Sequence, residues 1–358
     1  MTPSAKPRTV RLGATVAVVC AAALLTGFQA APGADQALSD AAFSVAPGAP
    51  AVTLPTKVLG AASVYIAYVD RASTVSPAFP DGKSIAASLR DTEAYEPRQM
   101  QEGMAAYAAI VALQDHAFVA SVRAFGADPR QRAQVAEALM ADPRYATVFA
   151  GADSAAGLIV AALTEQGQRV LDTGKRVKQA AYDVQHQKWS AQFVPDRDGR
   201  LALAKSLSDQ PLAPPPEEQA RLQLASTGAT PLIISGSPNA GPYSALVHRA
   251  LAVAALAALG DGSEDYSDQL MALLDEAEEQ DCLHSAKLNL YQCLAVAKPH
   301  YEDVFCMGQH VLMDTGQCII KGVTPIVAPD PALVKVADVK PAPVKKPTVH
   351  KKKRRSKS

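Results

Sequence analysis

Four of the chain's five cysteines lie in one C-terminal segment, and a histidine follows closely after two of them. The residues concerned are Cys282, Cys293, Cys306 and Cys318, with His284 and His310. Cysteine and histidine can bind zinc, closely spaced thiols can perform redox chemistry, and oxidised cysteine pairs form disulfides. The spacing of the cysteines has to decide among these three kinds of chemistry.

The helices that must carry these cysteines form a predicted hairpin. Helical spacing runs from residue 267 towards Pro299 and resumes after it, which predicts an αα-hairpin that turns at Pro299. In an antiparallel hairpin, residues that face each other have position numbers with a constant sum. Two pairs meet this condition about the same turn, Cys293 with Cys306 and Cys282 with Cys318.

Helix geometry excludes the main competing pair. Cys282 and Cys293 would lie about 16 Å apart along one helix, whereas a disulfide needs Cα atoms within ~7 Å. Cys306 and Cys318 differ by about 120° around an ideal helix, so we expect Gly316 to end that helix and to free Cys318. We therefore predict two nested disulfides, Cys282–Cys318 and Cys293–Cys306, of the kind that forms in an oxidising compartment.

A metal site and a redox site are the alternatives to these disulfides. Zinc sites usually contain a C-x2-C knuckle, and redox sites contain C-x-x-C, but the segment has neither pattern. His284 and His310 are the candidate metal ligands if the segment binds a metal. We expect no resident metal and no cofactor.

The nested cysteines are similar to those of twin CX9C coiled-coil-helix proteins, in which two disulfides join a helical hairpin. Here the gaps are ten and eleven residues instead of nine. The likeness is therefore limited to the nested disulfides of a helical hairpin and does not indicate kinship. The segment "KLNLYQCLAVAKPHYEDVFCMGQHVLMDTGQC" resembles a group of exported bacterial all-helical proteins of unassigned function. That resemblance implies no mechanism and no catalytic residues.

The N-terminal residues have the pattern of a secretory signal peptide. Three basic residues precede the uncharged run Leu12–Phe28, which predicts a signal peptide over 1–34 with cleavage somewhere within 27–37. Cys20 follows Val19, where a lipoprotein signal has a small residue, so we interpret Cys20 as part of the apolar run. The prediction is a periplasmic or secreted protein; a retained membrane anchor is the alternative.

The C-terminal residues form a basic tail on an acidic body. From Lys335 onward eight Lys and two Arg oppose Asp338 alone. Alternating Pro, Lys and Val cannot bury a core, so we expect a disordered tail over 325–358 that attracts polyanions without sequence specificity. The partner beyond the inner membrane would be an anionic envelope surface; a solubilising tail, or one that folds back on the body, is the alternative. The predicted polyanion-binding residues are Lys345, Lys346, Lys351, Lys352, Lys353, Arg354, Arg355 and Lys357.

The body has the alanine content and apolar spacing of an all-α protein, and we predict an antiparallel helical bundle. Proline and glycine divide it into a flexible linker (35–56), a helical bundle (57–210), a Pro/Gly-rich linker (211–240) and a helical region with the stapled hairpin (241–324). No run in the mature chain has the length of a transmembrane span. The one candidate strand, 230–235, cannot form a sheet alone.

Two helical segments in the first region have informative spacing. Apolar residues from Met100 to Phe125 predict one helix of about eight turns. In the next segment Gly167 and Gly174 follow apolar residues of a heptad series by four positions. Very small residues at such positions predict that a neighbouring helix approaches closely.

Other groups that could perform chemistry have simpler structural explanations. Glu93 and Glu96 could be glycosidase acids, but two acids at a helix start indicate capping. His116 and His186 could ligate a haem between long helices. Two acidic runs could bind a divalent cation, yet both lack the full calcium-loop pattern and are typical of helix starts. Those runs contain Asp196 and Asp198, and Asp261, Glu264, Asp265 and Asp268.

The sequence favours an exported non-enzymatic scaffold or binding protein whose basic tail engages an anionic envelope component, with no sequence-specific recognition of nucleic acid. The second hypothesis is a periplasmic carrier that holds an apolar ligand, haem or metal between long helices. The third is an envelope hydrolase. No nucleophile, zinc-protease or phosphate-binding motif supports an enzyme.

Overall fold

A computed structural model describes residues 52–325 of the chain. Within this range the protein forms thirteen α-helices and no β-strand, which confirms the all-α class. The predicted signal peptide, most of the linker 35–56 and the tail beyond Pro325 lie outside the described residues. The helices are α1 (Thr56–Ser73), α2 (Gly82–Glu93), α3 (Pro97–Ala112), α4 (His116–Phe125), α5 (Pro129–Ala141), α6 (Ala152–Val184), α7 (Arg197–Ser208), α8 (Pro216–Ser226), α9 (Ala245–Leu259), α10 (Ser267–Leu274), α11 (Ala277–Val296), α12 (His300–Cys306) and α13 (Asp314–Gly322).

One hydrophobic core connects helices from both predicted helical regions. Helix α3 packs against α1 and α9, and α6 packs against α13. The core includes Tyr65, Met104, Leu163 and Leu251, all of them almost fully buried. Helix α8 lies inside the segment 211–240 that the sequence predicted to be a linker, and it packs against α1.

Helix α6 is the longest element, and its glycines admit a second helix as the heptad spacing predicted. Its 33 residues span about 50 Å. A Cβ added to Gly167 would lie 2.8 Å from the carbonyl oxygen of Gly316, and one added to Gly174 would lie 2.8 Å from that of Gly308. The second limb of the C-terminal hairpin therefore contacts α6 backbone to backbone.

The helix predicted from Met100 to Phe125 is wrong as a single element. It is broken between Ala112 and His116, and α3 and α4 meet at 86°. Asp115 caps α4 by accepting a hydrogen bond from the backbone N–H of Phe118. The apolar spacing continues through the break because both helices bury a face, so periodicity alone could not reveal it.

A second break separates α10 from α11, where the sequence predicted one continuous helix from residue 267 to Pro299. Glu276 caps α11 by accepting from the N–H groups of Glu278 and Glu279. The fully buried Gln101 spans the break: its side-chain amide donates to Leu274 O at 2.9 Å, and its oxygen accepts from Glu276 N at 3.1 Å. A side chain from another helix therefore satisfies the interrupted backbone groups.

The hairpin and both of its disulfides are confirmed. Helix α11 turns at Ala297–Pro299 into α12, and the Cα atoms of each predicted cysteine pair, Cys282–Cys318 and Cys293–Cys306, are 5.7 Å apart. Gly316 does not end the second limb, contrary to prediction, because α13 continues to Gly322. A π-helical segment, Met307–Met313, precedes α13 instead. Its wider turns rotate the chain less per residue, which removes the offset expected between Cys306 and Cys318.

Between residues 52 and 325, no individual helix has both the length and the apolar composition to cross a membrane. Helices α3 and α4 together satisfy those two criteria, with the 86° bend between them. Both helices contribute many buried residues to the core of the protein.

Candidate functional site

A groove of about 840 Å³ opens beside the outer disulfide, Cys282–Cys318. The start of α9, the first half of α11 and the length of α13 form its walls, and Thr324 and Pro325 lie at its rim. Its volume is within the range of small-molecule sites. The ionisable residues that line it are Glu276, Glu278, Glu279, Asp281, Asp314 and Lys321, five acids and one base.

The break before α11 is what brings these acids to the groove. Because Gln101 and the cap residue Glu276 fix the start of α11, the following acids occupy its first turns. Negative charge is favoured at a helix N-terminus, where the backbone N–H groups carry partial positive charge. Glu278 and Asp281 are exposed to solvent, whereas Glu276 and Glu279 are buried.

Glu279 is the unusual member of this set. Its side chain is 5% exposed, and its Oε1 atom is buried without a hydrogen-bond partner. Burial, with the nearby charge of Glu276, raises the pKa of Glu279 to about 9, although Lys321 acts in the opposite direction. At neutral pH Glu279 is therefore a protonated, neutral acid inside an otherwise acidic groove.

The carboxyl group of Glu279 lies against the outer disulfide. One of its oxygens and the Sγ atoms of Cys282 and Cys318 all lie within 4.8 Å of one another. Cys318 is buried and Cys282 is half-buried. Among residues 52–325 this is the one such group of three potential ligands, but its sulfurs are joined to each other and are not thiolates.

The candidate metal ligands His284 and His310 do not belong to that group. His284 is exposed on α11. His310 lies in the π-helical segment, with its Nδ1 atom 2.9 Å from Oδ2 of Asp314. Asp314 also accepts from Asn289 at 3.4 Å. These contacts orient Asp314 at the end of the groove.

A second set of ionisable residues is buried between α2, α7 and the hairpin, away from the groove. Lys287, which is 2% exposed, donates to the backbone oxygen of Glu93, and its ammonium lies 3.4 Å from the ring centroid of Tyr95. Beside them Arg200 forms a buried ion pair with Asp303. Burial lowers the pKa of Lys287 and raises that of Glu93, and the charge of each residue opposes the shift of the other.

This cluster joins parts of the fold. Arg200 also donates to Leu294 O, so it holds α7 against the end of α11. Lys287 in turn holds α11 against the C-terminal end of α2. None of these residues lines the groove beside Cys282–Cys318. We assign the cluster a structural role.

The capping interpretation of the acidic residues is largely confirmed. Glu96 caps α3, Asp196 caps α7, and Glu264 accepts from the backbone N–H of Thr56 at the start of α1. The prediction for Glu93 is wrong: it is the last residue of α2, and its side chain is buried. None of the acids proposed for a hydrolase lines the groove beside Cys282–Cys318.

The haem hypothesis for His116 and His186 is wrong. His116 begins α4, next to Gly151 at the start of α6, since a Cβ added to Gly151 would lie 2.9 Å from the carbonyl carbon of Ala117. His186 follows the other end of α6. About 50 Å of helix separates the two histidines, and both are exposed.

Sequence reasoning did not identify the groove or Glu279. One signal was present, because nine acidic residues and no Lys or Arg lie between Arg249 and Lys287. That run indicates an acidic surface, but it does not show which carboxyl group turns inward.

The predicted polyanion-binding residues, Lys345 to Lys357, lie outside the described residues. Compared with known protein families, curated proteins and solved structures, the chain has no match.

Proposed function

We propose that the protein is an exported, non-enzymatic binding protein whose groove takes a positively charged organic ligand and whose basic tail holds it at an anionic envelope surface. The observation that carries the proposal is the buried Glu279 carboxyl group, which has an Oε1 atom without a partner inside a groove lined by acids. A buried polar atom without a partner costs about 1–3 kcal/mol. A ligand that donates a hydrogen bond to it would recover that energy.

The size and the donor set favour an organic cation over a metal ion. A groove of about 840 Å³ accommodates a small molecule, whereas Ca²⁺ needs six to eight oxygen atoms at about 2.3–2.6 Å. The tight group around Glu279 supplies two disulfide sulfurs as its other members. An ammonium or guanidinium group can instead donate to Glu279 while Glu278 and Asp281 attract its charge.

Calorimetry with spermidine and with L-arginine amide tests this proposal. Because Glu279 is protonated in the free protein, a cation that pairs with its carboxylate displaces a proton. We expect both probes to bind at low ionic strength, with release of up to one proton at pH 7.5. Titrations in two buffers of different ionisation enthalpy measure that proton.

Matched variants separate this site from general attraction to an acidic surface. Glu279→Gln should lose the proton release and most of the affinity. Glu137→Gln removes an exposed acid on α5 and should behave like the natural chain. If neither probe gives heat above dilution, or if Glu279→Gln binds as tightly as the natural chain, the groove is not a cation site.

Two observations support export and the role of the tail. Two disulfides are typical of proteins from oxidising compartments. The described residues contain 31 Asp and Glu against 22 Lys and Arg, whereas residues 326–358 contain ten Lys and Arg against two Asp. Such a tail can bind lipid or lipopolysaccharide phosphates that the acidic body would repel.

Sedimentation with envelope fractions at low salt tests the tail. The mature chain should sediment and be released by salt, and a chain that ends at Pro331 should stay in the supernatant. A full-length variant with the eight predicted basic residues changed to Gln controls for tail length and should also stay in the supernatant. Equal sedimentation of all three would exclude tethering by the tail.

A further inference from the structure

The two disulfides have different surroundings. Cys293–Cys306 closes the hairpin near its turn and is not among the residues that line the groove. Cys282–Cys318 joins the far end of the hairpin and forms part of the groove wall. Cys293 is half-buried, as Cys282 is, and Cys306 is buried, as Cys318 is. The groove and the carboxyl group of Glu279, and not a greater exposure, therefore distinguish the outer disulfide.

We propose that Cys282–Cys318 is a thiol–disulfide exchange site, which a dithiol reductant opens from the groove while Glu279 donates a proton to the departing sulfur. The geometry that supports this assignment is the approach of a Glu279 oxygen to within 4.8 Å of both Sγ atoms. The proposal does not depend on the binding of a cation in the groove.

The exposure of the two sulfurs assigns their roles. Cys282 is half-buried and faces the entering thiolate, whereas Cys318 is 3% exposed. A thiolate is poorly stabilised in apolar surroundings, so Cys318 needs a proton as it leaves. Glu279 can supply one, because burial raises the pKa of its carboxyl group to about 9.

The dithiol opens the disulfide in two steps. A thiolate of the dithiol attacks Sγ of Cys282, the Cys282–Cys318 bond breaks, and its electron pair passes to Sγ of Cys318. Glu279 protonates that sulfur and becomes a carboxylate. The second thiol of the reductant, as its thiolate, then attacks the mixed disulfide and closes the reductant's own disulfide. Cys282 leaves as a thiolate and takes a proton from water, so two electrons have moved from the dithiol to the protein.

The groups that face Glu279 determine how the exchange depends on pH. Glu276 on the same helix raises its pKa, Lys321 from α13 lowers it, and Tyr65 from α1 interacts with it electrostatically. At a fixed thiolate concentration, the rate of opening should fall as pH rises through about 9. The fall occurs because Glu279 then has no proton to give.

Timed reduction of the full oxidised chain with dithiothreitol tests the proposal. Samples are quenched by alkylation, and peptide masses report each cysteine separately. We expect Cys282 and Cys318 to be alkylated first while the far-ultraviolet circular dichroism is unchanged. Cys293 and Cys306 should react later, because they lie outside the groove and have no place in the group that Glu279 forms with Cys282 and Cys318.

Variants distinguish proton donation from a change in stability. Glu279→Gln should slow the opening of Cys282–Cys318 about tenfold or more and abolish the fall near pH 9. Glu279→Asp retains an acid and should recover part of the rate, and Glu137→Gln should match the natural chain. Simultaneous reduction of both disulfides, or an unchanged rate and pH profile in Glu279→Gln, would overturn the proposal.

Discussion

Gly167 of α6 and Gly316 of α13 contact each other through their backbones. A Cβ added to Gly316 would lie 2.7 Å from the carbonyl oxygen of Gly167, and one added to Gly167 would lie 2.8 Å from that of Gly316. About two turns further along α6, Gly174 and Gly308 repeat the arrangement. The hairpin that carries the groove and both disulfides is therefore positioned by four residues that have no side chain.

Substitution of Gly316 by Ala should destabilise the protein, because the new methyl group meets backbone atoms of Gly167 and Leu171 that cannot rotate away. We expect a loss of about 1–3 kcal/mol in the free energy of unfolding, measured with urea. Gly60→Ala is the matched control, since its Cβ would meet only the side chain of Pro214, at 3.0 Å. Because alanine has a higher helix propensity than glycine, the free energy of unfolding of that control should stay within about 1 kcal/mol of the value for the natural chain. Equal losses in the two variants would contradict the backbone contact.

Replacement of Gln101 by Met should be costly although the two side chains are similar in size. The change leaves Leu274 O and Glu276 N buried without their partner, and each lost partner costs about 1–3 kcal/mol. We expect urea unfolding to show a loss of about 2–6 kcal/mol. Gln168→Met removes an exposed side-chain contact and should change stability by less than about 0.5 kcal/mol. A small effect of Gln101→Met would mean that water molecules can form hydrogen bonds with Leu274 O and Glu276 N in place of the Gln101 side chain.

The stability of the protein should fall with rising pH because of Glu279. Its pKa is 4.5 in the unfolded reference and about 9 in the fold, so between these values the folded state holds a proton that the unfolded state releases. The penalty is absent below pH 4.5, grows by about 1.4 kcal/mol per pH unit, and is complete above pH 9. Glu279→Gln should therefore become increasingly more stable than the natural chain from pH 5 to pH 9. A pH-independent difference in urea midpoints would show that Glu279 ionises normally.

Removal of either disulfide by paired Cys→Ala changes should destabilise the fold by different amounts. The loops closed span 36 residues for Cys282–Cys318 and 13 for Cys293–Cys306. Loop-closure entropy then gives about 4 kcal/mol for the outer disulfide and about 3 kcal/mol for the inner one. Urea unfolding of the two double variants measures both. A larger loss for the inner pair would indicate that packing around Cys306, which is fully buried, outweighs loop entropy.

Lys287 and Glu93 should show strong coupling in a double-mutant cycle. Lys287→Met alone leaves Glu93 without the ammonium that lowers its pKa, and the loss of one buried partner typically costs about 3–5 kcal/mol. When Glu93→Gln is already present, the same change should cost at least about 1 kcal/mol less. If the two losses are additive within experimental error, Lys287 and Glu93 do not stabilise each other and the prediction is wrong.

The sequence was sufficient to predict the all-α class, the hairpin, both disulfides and the close approach of a helix to Gly167 and Gly174. These features depend on periodicity and on residue size, which are local properties. The break before α4 was missed because the apolar spacing continues through it, and the break before α11 was missed because a side chain distant in sequence completes it. Gln101, for instance, satisfies backbone groups about 175 positions further along the chain.

The groove was missed for a related reason. The sequence shows that the segment before Lys287 is acidic. It does not distinguish one carboxyl group of that segment from another, because all of them belong to ordinary Asp and Glu side chains. Only the packing of α13 against α11 buries Glu279 and brings it to the outer disulfide. Position within the fold, and not residue type, gives Glu279 its pKa.

The contact between Gly167 and Gly316 also determines when the protein can finish folding. Ribosomes add about 5–20 residues per second, so the roughly 150 residues between the two glycines take about 7–30 s to synthesise. During that interval α6 lacks its partner, and its seam of small and apolar residues is open to other chains. The seam of α6 is therefore exposed for at least that interval, and in an exported chain it stays exposed until the hairpin has also crossed the membrane. We expect a chaperone to protect the chain from aggregation over that whole period.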